Sequence, residues 1–312
     1  MRDFRLVAVT AVAPALWGTT YLVTTEFLPA NRPLLAAAVR ALPAGLLLIA
    51  AVAALAGRLA LPRHAWWWRS ALLGFLNIGL FFALLFVGAY RLPGGVAAVL
   101  GALGPFVVAA LAYLLLKERP GGRAMAGAVI GVAGVALLVL RSTVALDAVG
   151  LAAAAGGMGV MSLGTVLGRR WGAPEGFAHR PTALLALTGW QLTWGGLLLV
   201  PFVFLVEGAL PAFTLTNLAG YAYLTLVGTA LAYVLWFRGV TTLAPTRVTV
   251  LALLSPVVAA VVGWAALGQS LSPGQLVGAA AVLGAILLGA SRPRPKRPTQ
   301  PAPEPVSSAR RG

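Results

Sequence analysis

The sequence has no cysteine, two histidines and seven acids in 312 residues. It therefore carries no disulfide framework and no thiolate metal site. The acids, Asp3, Glu26, Glu118, Asp147, Glu175, Glu207 and Glu304, fall in loops, at the ends of apolar runs or in the tail. No carboxylate stands mid-run, where a proton relay would need one. No glycine-rich phosphate loop with its lysine occurs, so an ATP-driven pump is excluded on this chain alone. Only 10% of residues are charged, against about 25% in a soluble protein. That leaves no room for a sizeable soluble domain.

What is present is oil. Sixty per cent of the residues are hydrophobic, and apolar runs long enough to cross about 30 Å of hydrocarbon recur along the chain. The expectation is an all-α membrane protein with ten transmembrane helices, near 6–25, 34–56, 69–90, 94–116, 123–140, 149–168, 182–206, 218–238, 245–267 and 274–290. Ala13-Pro14-Ala15 resembles a signal-peptide cleavage site, but the apolar pattern runs on to Thr25, so the first helix is expected to be retained. Pro14, Pro43, Pro105 and Pro256 fall inside spans, where they should kink or loosen the helix.

The net charge of +16 sits in short gaps between apolar runs. It does not line one solvated face, so nucleic acid is rejected as a partner. With the N-terminus inside, 19 of the positive residues fall in cytoplasmic segments and three, Arg32, Arg91 and Arg141, in outer loops; Arg40 is left within a span. That segregation predicts both termini in the cytoplasm of a multi-pass cell (inner) membrane protein. The stretch 291–312 is rich in Pro, Arg and Ser and is expected to be a disordered basic tail near the lipid surface.

The chain also repeats itself. Phe86–Leu138 falls on Phe237–Gly289 at an offset of 151 residues without a gap, matching Pro105 to Pro256, Gly88 to Gly239 and Gly127 to Gly278. The hinge 117–123 is charged in the first copy, and its counterpart 268–274 carries no charge. Positive hinges stay inside, so the copies are expected to face opposite ways, as an inverted repeat. The units are 1–141, a first five-helix repeat, and 142–290, a second, inverted one.

Several features together carry a family resemblance. Trp17-Gly18-Thr19-Thr20 lies in the first span, Arg40 in the second and Asn77 in the third. Gly104-Pro105 opens the fourth, which ends at Lys117-Glu118-Arg119, and Ser255-Pro256 mirrors it in the second half. With ten spans in two halves, the chain resembles the EamA-like branch of the drug/metabolite transporter superfamily over roughly residues 6–290. The resemblance implies secondary export of small metabolites, often amino acids, without ATP or cofactor, through a central cavity between the halves. The second half departs from the pattern in two places: Gln269 stands where many members carry an acid, and Gly156-Gly157 with Met158–Gly164 leaves the sixth span few polar groups.

Arg40 is the sharpest candidate. A charge about seven residues into a span costs at least a few kcal/mol unless it faces protein or water. Three readings stay open: a cavity cation for a carboxylate, snorkelling to the outer head groups, or tying loose carbonyls near Pro43. Its repeat mate is Gln191. Trp17, Tyr21 and Thr24 share one helical face, which suits either a cavity wall or plain aromatic packing. Asn77 suits substrate binding or interhelical bonding. Trp190, Gln191 and Trp194 form a polar-aromatic face in the seventh span; Tyr221, Thr225 and Thr229 form one in the eighth. Trp66, Trp67 and Trp68 read as a membrane-interface belt. Gly127, Gly131, Gly134, Gly278 and Gly284 suit tight packing, sliding of one bundle on another, or the seam of a homodimer.

The reading is a carrier, not an enzyme. Arg40 would hold the substrate's negative group, with Trp17, Tyr21 and Asn77 on one wall and Trp190, Gln191 and Tyr221 on the other. The small-molecule substrate would be an amino acid or related compound. The rivals are a multidrug or cationic-compound exporter and a membrane-embedded enzyme acting on lipid-linked substrates.

Overall fold

The computed structural model describes residues 2–92, 100–118, 122–139, 147–240, 251–268 and 271–290. The tail 291–312, the hinge residues 119–121 and 269–270 and the junction at 141–142 lie outside the described residues. Every described element is helical. Helix α1 runs Arg2–Gly18 and continues as Thr20–Phe27. Helix α2 is Pro33–Ala56. Helix α3 joins Trp66–Gly74, a π-helical segment Phe75–Leu80, and Phe81–Arg91. Then come α4 (Gly104–Leu116), α5 (Gly122–Val139) and α6 (Ala148–Trp171). Helix α7 is Arg180–Phe202 with a π-helical end, Val203–Glu207. Helix α8 joins Leu215–Ala222, π-helical Tyr223–Leu231, and Ala232–Val240. Helices α9 (Leu254–Leu267) and α10 (Pro273–Ala290) close the described chain.

Six of these helices are long and apolar enough to cross a membrane; α4, α5, α9 and α10 are apolar but shorter as described. The protein is thus an all-α membrane protein, with an apolar helix at each expected span. Pro105 and Pro256 stand beside breaks in their spans, the loosening expected of an interior proline. They fall in the first turn of α4 and of α9, after turn residues at Leu103 and at Ala252–Leu253, where a missing N–H costs nothing. Pro14 and Pro43 do lie inside α1 and α2.

Local chemistry sets the helix ends. Asp147 caps α6 by accepting from the Gly150 N–H at 2.6 Å. Thr214 and Asn217 form a reciprocal capping box at the start of α8. Gly57 ends α2 in the left-handed conformation at φ 65°.

The main pairings in the bundle are α2 with α7 and α5 with α10, together with α3 with α6 and α1 with α8. Small residues let the first two pairs approach. A Cβ at Gly278 would stand 2.5 Å from the Gly134 carbonyl oxygen, and one at Gly134 would stand 2.9 Å from that of Gly278. The seam of small residues is therefore occupied within the chain at these two glycines. Gly196 likewise meets the Leu42 backbone.

The bundle has a basic end. The loops after α2 and α6 meet there, where Arg58 donates to the Gly176 carbonyl and Arg169 pairs with Glu118 at 2.9 Å. At the opposite end Arg32 donates to the Glu207 and Ala209 carbonyls, and Arg91 stands 3.8 Å from Asp147.

Candidate substrate site

Arg40 turns inward from α2 and is 6% exposed. Its Nε–H donates to Thr229 Oγ1 at 2.9 Å, and a terminal N–H donates to the Gly228 carbonyl at 3.3 Å. The guanidinium carbon lies 5.2 Å from the centre of the Phe82 ring, close enough for a cation–π contact. Of the three readings, snorkelling is not what this side chain does. It does tie a backbone carbonyl, that of Gly228 on α8 across the bundle.

That carbonyl belongs to the π-helical segment of α8. A π-turn widens the helix and leaves backbone groups poorly matched to their usual partners, so such turns recur at functional sites. Another π-helical segment, in α3, holds Asn77. Asn77 Nδ2 donates to Gln191 Oε1 on α7 at 2.9 Å. The two contacts are repeat equivalents. The 151-residue offset carries Arg40 onto Gln191, Asn77 onto Gly228, and Phe75–Leu80 into Tyr223–Leu231. One half thus uses a cation against a backbone oxygen and the other an amide against an amide. Asn77 Oδ1 is buried without a hydrogen-bond partner and lies where a methyl group on Gly164 would collide with it.

The other candidates separate into groups. Trp17 packs on Tyr233 and Trp236 of α8, ring centres 5.8 and 5.1 Å away. Thr19 on the same helix shares a 2.7 Å hydrogen bond with the Tyr223 hydroxyl. Tyr221 is buried in the apolar cluster that also holds Phe82, with Phe213 edge-on at 5.8 Å. Tyr21 lies on α1, and its side chain is outside the described residues. Trp190 stands apart from Arg40. Its indole N–H donates to the Ala60 carbonyl at 2.8 Å, in the loop at the basic end, within a cluster that includes Trp66. Trp66 is buried in that cluster, whereas Trp67 and Trp68 are exposed as belt residues should be. The six candidates with described side chains thus fall into groups. Arg40 and Tyr221 share the interior cluster, and Tyr233, which packs against it, links Trp17 to them. Asn77 and Gln191 pair with each other, and Trp190 belongs to the basic end.

Sequence reasoning passed over Thr229 and Gly228 as ligands of Arg40. The available signal was the repeat, because Gly228 is the counterpart of Asn77. About two helical turns from Arg40, roughly 9 Å along α2, a cavity of about 550 Å³ opens at the head of the helix between Asn31, Arg32, Val87 and Glu207. Glu207 closes its side by accepting from the Leu34 and Leu35 N–H groups, the free donors of the α2 N-terminus.

A family model described as the EamA-like transporter family matches residues 5–140 and again 149–290. The chain belongs to the EamA-like transporter family. It is 45% identical over 276 residues to the protein PecM of Dickeya dadantii (strain 3937), covering 88% of this chain and 89% of that one. It is 31% identical over 284 residues to a chloroplastic WAT1-related protein of Arabidopsis thaliana, covering 87% of this chain and 66% of the relative. One solved crystal structure superposes with a TM-score of 0.74 at 20% identity, covering 91% of this chain and 97% of that chain; this is a likeness of fold. As an EamA-family member the protein is a membrane transporter, and it works on a small-molecule substrate in a lipid bilayer.

Proposed function

We propose that this EamA-family transporter is a secondary carrier that exports a small carboxylate-bearing metabolite, an amino acid or close relative, from the cytoplasm across the inner membrane. The carrying observation is Arg40, a guanidinium buried among helices and bonded across the bundle to neutral oxygens of Thr229 and Gly228. None of the seven acids lies mid-span, so a carboxylate brought in by substrate would meet a positive field in a low-dielectric interior. Arginine's planar fork suits bidentate capture of that group. The unpartnered Asn77 Oδ1 is a buried acceptor that a donor group such as an ammonium would satisfy. The lack of a mid-span acid supports facilitated movement or exchange over proton antiport.

Arg40 is covered on all sides here. Substrate reaches it only if α2 and α8 part, which suits alternating access by rocking of the two inverted halves about a shared site. The match of one family model to each half and the repeat-equivalent polar contacts support that architecture. Efflux of labelled amino acids from proteoliposomes tests the reading. Wild type should release a carboxylate substrate, and Arg40→Ala should not. Equal rates would remove Arg40 from binding. Impermeant labelling of cysteines placed beside Lys117 and beside Gln269 should give opposite faces, with both termini cytoplasmic; one shared face would overturn the inverted arrangement.

A further inference from the structure

A second cavity, of about 370 Å³, lies at the basic end where the loops after α2 and α6 meet. Arg58, Arg63, His64 and Arg69 line one side, Glu175 and Phe177 the other, and Trp66 and Trp190 complete the lining. The walls are built. Trp190 is 3% exposed and holds the Ala60 carbonyl, while Arg58 reaches across to the Gly176 carbonyl. His64 and Gly176 adopt left-handed backbone, at φ 47° and 85°, which bends the two loops around the opening. The Arg69 guanidinium lies 5.6 Å from the ring centres of Trp66, Trp68 and Trp171, and its Nε is buried without a hydrogen-bond partner. Ring faces fix the orientation of a guanidinium without using its N–H edge, which stays available to an oxyanion.

Orientation signals account for arginines at this end of the bundle. They do not account for a concave site in which three arginines face one glutamate over an aromatic floor. Trp67 and Trp68, 47% and 53% exposed beside the cavity, are the amphipathic rings that rest at head-group depth. We propose that this pocket binds the phosphate of an anionic phospholipid head group. The inference does not depend on what the carrier moves. A free phosphate presents the same oxygens, and the two sources separate by experiment.

The test uses the full chain in mixed micelles, with phosphatidylglycerol, phosphatidylcholine or inorganic phosphate as probe. Bound lipid is read by native mass spectrometry and the thermal midpoint is followed in parallel. Wild type should hold phosphatidylglycerol in preference to phosphatidylcholine. The Arg58→Ala/Arg63→Ala double variant should bind it about 30-fold more weakly, from roughly fivefold per arginine near an anionic head group. Arg170→Ala/Arg180→Ala, at the same end but absent from the cavity lining, should bind nearly as wild type does. Glu175→Gln should bind about fivefold more tightly, a gain that misfolding cannot produce. Stabilisation by inorganic phosphate alone, lost in the pocket variant, would assign the site to a free anion. Equal losses in the two double variants, or an unchanged Glu175→Gln, would overturn the pocket and leave only diffuse surface charge.

Discussion

The contact of Arg40 with Gly228 and that of Gln191 with Asn77 are the same device in two halves of one bundle. In each, a long side chain from the second helix of a half reaches a π-helical turn in the third helix of the other half. Only one of them carries charge. An amide pair in a membrane interior contributes modestly, because the unfolded helix also finds partners in lipid. A buried guanidinium is costly, and a cost of that kind is retained where it does something beyond holding helices together. Positions matched by the 151-residue offset make both contacts, and the chemistry of the two is unequal. That inequality is the basis for placing anion recognition on the Arg40 side.

Four substitutions break or sharpen the comparison. Arg40→Met should lower carboxylate transport by about 100-fold, the scale of losing a desolvated charge contact, while Gln191→Met should leave the rate within a few fold; both are read by proteoliposome efflux. If the two fall together, charge is not what distinguishes the halves. Gly278→Val attacks the scaffold that the halves share. It forces a side chain into the Gly134 and Leu138 backbone and should cost about 3 kcal/mol in a detergent-unfolding assay, with transport lost in proportion to folded protein. Asn77→Ala should cost about 0.6–1.7 kcal/mol by the same assay. It sharpens the comparison if transport falls further than stability does, because the amide would then also serve substrate. Smallest is Arg169→Ala. Its pairing with Glu118 is about half exposed, and its loss should change stability by less than about 1 kcal/mol, with transport unchanged.

Much of the fold was legible because hydropathy is a sum over neighbours in the chain. Each expected span has an apolar helix, and Arg40 could be flagged from its depth alone. Pro105 and Pro256 were expected to loosen their spans, and turn residues do precede both. Their apolar surroundings continue on both sides, so nothing in the composition marks where those turns fall, at Leu103 before Pro105 and at Ala252–Leu253 before Pro256. The partner of Trp190 was not legible either. Trp190 neighbours Gln191 in sequence, yet the two side chains leave α7 about 100° apart and meet different partners, Ala60 for one and Asn77 for the other.

Taken alone, the order of residues settled the solvent this protein lives in and where its described helices lie, and it raised the expectation of two related halves. Those are properties of windows of about 20 residues and of matched spacings, which a chain displays before it folds. Which oxygen meets Arg40 was decided only when α2 and α8 came together, across 188 and 189 residues of separation. A side chain's partner depends on helix rotation and crossing, and those are set by packing such as that of Gly134 on Gly278, which no single segment encodes.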